Sequence, residues 1–163
     1  MCKNKKTSGF TLIELLVVIA IISLLSSVVM SSVASARMKS RNTTRMATLK
    51  SLQTALEMYF NDNNGYPSTG GAWWGVSTYG GHGRGATGYI PGLVPTYIAI
   101  LPIDPRGLTV ADGYLYRSDG VNYKLLNHRS IEGPWNSTFA FYDPLRPTWA
   151  WQVSSSQTVR STW

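Results

Sequence analysis

Cysteine is nearly missing from this chain, and its one copy, Cys2, stands at the second position. No internal disulfide can staple the fold, and no thiolate cluster can hold a metal. Histidine is almost as scarce. His82 and His128 lie far apart in sequence, with no clustered acids at metal spacing. No serine, histidine and aspartate stand in contexts that make a catalytic set, so the chain is not expected to be an enzyme. Glycine and proline are both absent from Phe10 to Asn64, which leaves nothing in that stretch to break a helix. Acids are missing from the basic run Arg37, Lys39, Arg41, Arg45 and Lys50.

What is present begins at Gly9-Phe10-Thr11-Leu12-Ile13-Glu14, which opens an apolar run lasting to about Ala36. The run is long enough to cross a bilayer. One carboxylate inside it costs roughly 2.5–3.5 kcal/mol at a bilayer centre, so Glu14 is read as functional. A secretory signal peptide has an apolar region of only about 7–15 residues and a small-x-small exit. The run from Leu15 to Val33 exceeds that, and its only nearby glycine lies before it. A plain signal anchor fits the length but explains neither Glu14 nor the Gly9-Phe10 junction.

The leader with Lys3, Lys5 and Lys6, then Gly9, Phe10 and Thr11-Leu12-Ile13-Glu14-Leu15-Leu16-Val17-Val18-Ile19-Ala20, resembles the class III signal of type IV pilins and type II secretion pseudopilins. The likeness is near-complete over residues 5–22 and continues loosely to Tyr66-Pro67, a pair that commonly ends the long helix in pseudopilin-like members. It implies cleavage between Gly9 and Phe10 by a prepilin peptidase, N-methylation of Phe10, and a role for Glu14 in filament assembly. The implied partners are that peptidase, an assembly ATPase with its inner-membrane platform protein, and further copies in a homo-oligomeric helical filament. The chain departs from many pilins in lacking a C-terminal disulfide, which moves it toward the pseudopilin-like branch. It also lacks the transmembrane Gly and Pro at which relatives unwind, with Ser23 near the usual glycine site.

The formal charge is +7, of which three lysines leave with the leader to give +4. From Ala55 onward seven basic residues balance seven acidic ones, so the head reads as neutral and nucleic acid is not its expected partner. The positive charge belongs to the membrane-proximal helix. Counting Lys and Arg on both flanks would favour a cytoplasmic head. The resemblance implies the reverse: a single-pass inner-membrane protein with its leader inside and head outside, later a cell-surface or periplasm-spanning filament. Anionic headgroups on the outer face would then hold Arg37, Lys39 and Arg41.

The sequence divides into a cleaved leader (1–9), a transmembrane or filament-core half-helix (10–36), an amphipathic half-helix (37–64) and a head (65–163). In the second half-helix Met46, Leu49, Leu52, Leu56 and Tyr59 recur at spacings of three and four. Arg45, Thr48, Lys50, Ser51 and Glu57 are expected on the opposite, solvated side. Asn61-Asp62-Asn63-Asn64-Gly65 stops the helix and Pro67 prevents its resumption. From Gly65 to Gly88 lie nine of the fifteen glycines among Trp73, Trp74, Tyr79, His82 and Arg84. This reads as a long loop that packs Trp73 or Trp74 on a sheet or a neighbour, with sugar or surface binding as the alternative. Gly81-His82-Gly83-Arg84-Gly85 is not a phosphate loop, since no strand precedes it.

Asp119-Gly120 between Gly113–Ser118 and Val121–Leu126 reads as a type I′ hairpin. Phe139–Tyr142 and Thr148–Val153 read as two more strands. The expected fold class is α+β, a long helix packed through its amphipathic half on an antiparallel sheet of about four strands. The tail after Val153 is polar, and Trp163 is available to dock. The resemblance implies no cofactor beyond the calcium that some relatives bind, for which Asp104, Asp112 and Asp119 are the candidate oxygen donors, although each also suits a turn. Asn42-Thr43-Thr44 and Asn136-Ser137-Thr138 match glycosylation triplets. The expected function is a structural filament subunit. The alternative is a minor tip pilin acting as an adhesin or as a DNA- or surface-binding module, and copy number in sheared surface material separates the two.

Overall fold

The computed structural model describes residues 9–76, 79–107, 113–133 and 135–163. The chain forms two compact units, Met1–Lys39 and Ser40–Trp163. Helix α1 spans Leu12–Asn63 and so contributes to both. It ends where Asn64 adopts φ 53 and donates its N–H to the Phe60 carbonyl at 2.8 Å. Asparagine tolerates this left-handed cap, so the stop falls at Asn64 rather than at Gly65.

In the first unit the side chains from Phe10 to Ala36 are all exposed. That stretch of α1 is long and apolar enough to cross a membrane. In the second unit α1 buries Leu49, Leu52 and Leu56 completely, and Met46 and Tyr59 pack beside them. The stripe read from the sequence is therefore the core face. Arg45, expected on the solvated side, is instead fully buried. Periodicity assigns a side chain to a face by polarity, and here two carboxylates on distant loops make the inner face habitable for a cation.

The sheet contains β1 (Trp74–Gly75), β2 (Gly113–Ser118), β3 (Tyr123–His128) and β4 (Ala150–Ser154). They pair antiparallel in the order β1-β2-β3-β4. Tyr114, Tyr116, Tyr123, Leu125 and Trp151 join the helix leucines in one core. The alternate residues Leu115, Lys124, Leu126 and His128 are buried as well. The sheet is thus covered on both faces, the far one by loops and by the short helix α2 (Gln157–Thr162). Ser156 caps α2, its side chain accepting from the Val159 N–H at 3.3 Å. The polar tail is therefore ordered, and Trp163 docks beneath the Arg117 guanidinium, 4.8 Å from the ring centre.

Three readings of the head change. Ser118 pairs with Tyr123, so the hairpin loop holds four residues rather than Asp119-Gly120 alone. Asp119 accepts the Val121 and Asn122 N–H groups at 2.9 and 2.7 Å, and this Asx closure replaces a type I′ turn. Phe139–Tyr142 is not a strand. The Tyr142 N–H is spent on the Phe139 carbonyl at 2.9 Å, and only an isolated bridge from Tyr142 to Trp151 remains. The place of the fourth strand goes to β1, two residues inside the glycine-rich stretch. Gly75 fits there because a Cβ would strike the Leu115 side chain.

Candidate processing and assembly site

Thr11 and Glu14 close the start of α1 by a reciprocal contact. The Thr11 N–H and hydroxyl both donate to Glu14 Oε2, at 2.8 and 2.6 Å, and the Glu14 N–H donates to Thr11 Oγ1 at 3.3 Å. A threonine cap with glutamate three residues on is a capping box, and it satisfies donors that every helix start leaves open. The sequence carries its signal, Thr-x-x-Glu before an apolar run. Among the described residues Oε1 of Glu14 accepts nothing, so one carboxylate oxygen holds the helix tip while the other faces outward. Gly9 lies outside the helix, and a Cβ there would meet nothing within 4 Å. Nothing among the described residues demands glycine at that position. Phe10 is 80 % exposed, so the Gly9-Phe10 bond is reachable. The leader lysines and Cys2 lie outside the described residues.

A second polar cluster ties α1 to the head loops. Arg45 donates to both Asp104 oxygens at 2.8 and 2.9 Å, and to Glu132 Oε2 at 2.9 Å. Arg41 donates to Glu132 from Nε at 2.9 Å and also from Nη2. Asn42, buried, donates to the Gly133 carbonyl at 2.7 Å, so its amide is committed inside the fold. The Arg41 hydrogen bonds hold the Glu132 carboxyl down at about 2. Burial opposes ionisation of Asp104, yet its Arg45 bond keeps its pKa below the ordinary carboxylate value. Arg41, assigned to lipid headgroups from sequence, is thus engaged by the head itself.

Of the three aspartates considered for calcium, Asp104 receives four hydrogen bonds, from Arg45 twice, the Arg106 N–H and Asn127. Those are the surroundings of an anion among donors rather than of a metal ligand. Asp119 is exposed and closes its own turn. Asp112 lies outside the described residues. No group of three or more metal-ligating side chains occurs among the described residues. His82 stacks on Trp74 at 3.9 Å between ring centres, and His128 meets the Trp149 ring edge-on at 4.9 Å.

The prokaryotic N-terminal methylation motif matches residues 4–30, which include Gly9, Phe10 and Glu14. A type II secretion system core protein G of Pectobacterium carotovorum is 34% identical over 123 residues, covering 73% of this chain and 66% of that protein. The core protein G of Pseudomonas aeruginosa is 39% identical over 67 residues, covering 41% of this chain and 47% of its own length. A type IV wide pilus major component of Thermus thermophilus is 44% identical over 64 residues, covering 39% and 49%. The chain thus spans from about half to 66% of the length of these relatives. No solved structure matches it significantly. These relatives are components of secretion systems and pili, not enzymes, in line with the sequence expectation. With the methylation motif at its start and a long helix packed on a four-stranded antiparallel sheet, the chain is a type IV pilin- and pseudopilin-like protein.

Proposed function

We propose that this protein is a structural subunit of a type IV pilus-like or pseudopilus filament. A prepilin peptidase removes residues 1–9, the new Phe10 amine is methylated, and the apolar half of α1 exchanges lipid for neighbouring copies. The single observation that carries the reading is Glu14, the one carboxylate on an otherwise apolar exposed segment, with Oε2 held by Thr11 and Oε1 open. Methylation of an amine keeps its positive charge, so the Phe10 amine of an adjacent copy is the natural ligand for Oε1. In a dry core both charges need each other, and breaking such a pair costs about 3–5 kcal/mol. The pair therefore sets axial register. Before assembly the protein sits in the inner membrane with its head outside, and the assembly ATPase and platform protein extract it.

Two substitutions separate the roles of Glu14. Glu14→Leu removes cap and charge, whereas Glu14→Gln keeps a capping oxygen and removes the charge. Both variants are expected in the membrane at mature size, beginning at Phe10 by mass spectrometry, and absent from sheared surface filaments. Glu14→Gln protein in filaments at wild-type level overturns the ion-pair role. A mature protein that retains Met1 overturns the processing step. An abundant single band in sheared material marks a main subunit, and a trace component marks a tip protein.

A further inference from the structure

The balanced charge count of the head conceals a segregation. Glu132 and Asp104 are consumed by Arg41 and Arg45, Glu57 by the Tyr66 and Tyr123 hydroxyls, and Asp62 by Tyr97. Asp143 is fully buried between Lys124 and Arg146. On the sheet face away from α1 three arginines interleave with tryptophans. Arg117 lies 4.8 Å from the Trp163 ring centre and 5.9 Å from that of Trp73. Arg146 lies 5.2 Å from Trp73 and 5.8 Å from Trp149, and Arg129 lies 5.8 Å from Trp149.

Two features set the outer end of this ladder apart. Arg129 is exposed and held at φ 56, a left-handed conformation that arginine adopts only at a cost. Trp149, whose ring lies 5.8 Å from the Arg129 guanidinium, also lines a cavity of about 80 Å³ that is floored by Leu115, Leu126 and His128 and walled by Trp73, Tyr79 and Arg146. It is roomy enough for a few waters or for a carboxylate. Arg146 reaches Asp143 at 3.3 Å and the Trp163 carbonyl at 2.9 Å through Nη1 alone. Its Nη2 donates to nothing among the described residues. Trp149, 36 % exposed, offers an apolar ring at the mouth.

We propose that this rim binds an acidic oligosaccharide. A pyranose ring lies on Trp149, its carboxylate enters the cavity toward Arg146, and Arg129 takes the next acid along the chain. The flat apolar face of a sugar suits the indole, and the guanidinium fork matches a carboxylate. Nothing in this inference depends on assembly, because the rim is complete in one copy.

The test uses the full chain in detergent, titrated with a galacturonic acid tetramer and followed by tryptophan fluorescence. Saturable quenching is expected, weakened at least about tenfold for the fully methyl-esterified tetramer. Arg129→Gln and Trp149→Ala are each expected to weaken binding about fivefold or more without moving the thermal melt. Arg129→Gln carries the test alone if Trp149→Ala melts early, since Arg129 is exposed. Absence of saturation, equal binding of the ester, unchanged affinity in Arg129→Gln, or tighter binding of a single-stranded oligonucleotide of equal charge each overturns the proposal.

Discussion

Arg45 shows how one side chain decides a local balance. Its guanidinium is wholly buried, and its stabilising partners come from loops 59 and 87 residues away in sequence. Removing one partner leaves a buried charge, so Asp104→Ala is expected to cost about 3–5 kcal/mol by denaturant unfolding. Replacing both, as Arg45→Met with Asp104→Leu, removes the charges together and is expected to recover most of that loss. An equal loss in single and double variants would mean that packing, not charge, sets the cost. Glu132 adds a pH signature. Its folded pKa, held near 2 by Arg41, lies below the ordinary 4.5, so the unfolded chain binds the proton more readily. Its contribution is complete above about pH 4.5 and is lost as pH falls toward 2. Glu132→Gln is expected to flatten the melting temperature over that window and to lower it at neutral pH.

Among the elements, β3 carries the unusual residue. Lys124 is fully buried, donating to Asp143 at 3.3 Å and to the Arg160 and Trp163 carbonyls at 3.1 and 2.7 Å. It therefore fastens α2 to the sheet. Burial lowers its pKa from 10.5 to about 8, so between those values the unfolded chain holds a proton that the fold does not. The burial cost is complete below pH 8 and is relieved as pH rises toward 10. Wild-type stability is expected to rise over that window relative to that of Lys124→Met, since buried tyrosines such as Tyr114, whose pKa burial raises, destabilise both alike as pH nears 10. A wild-type melt that falls relative to that of Lys124→Met from pH 8 to 10 would sink this account. The sequence made α1 and the β2–β3 pair legible because each rests on local signals: no helix breaker across Phe10–Asn64, and alternating residues around Asp119-Gly120. It hid β1, because two residues carry no period and Gly75 is selected by Leu115, a contact forty residues on. It misplaced Phe139–Tyr142, where aromatic alternation looked like a strand but a turn took the backbone donors. At the candidate site Gly9, Phe10 and Glu14 stood out as a linear pattern. The Arg45 cluster did not, since its members meet only through the fold.

At the scale of the molecule, the unit Ser40–Trp163 contains everything its core requires. Leu49, Leu52, Leu56, the strand tyrosines and Trp151 all lie within it, as do both ends of the Arg41–Glu132 and Arg45–Asp104 pairs. The exposed apolar residues of α1 from Leu12 to Val33 lie outside it. A fragment beginning after Val33 is therefore expected to be a soluble monomer with one cooperative thermal transition, without disulfide help. A fragment beginning at Ala55 keeps Leu56 and Tyr59 but loses Leu49, Leu52 and Arg45. Each buried leucine is worth roughly 2–5 kcal/mol, and Asp104 would be left buried without its cation. Those losses together match the whole stability of a small domain, roughly 5–15 kcal/mol. The shorter fragment is thus expected to show no cooperative melt by circular dichroism. Cooperative unfolding of the Ala55 fragment would place the folding boundary within the helix rather than before its buried stripe. Aggregation of the longer fragment would instead mean that the head needs the apolar half-helix to fold.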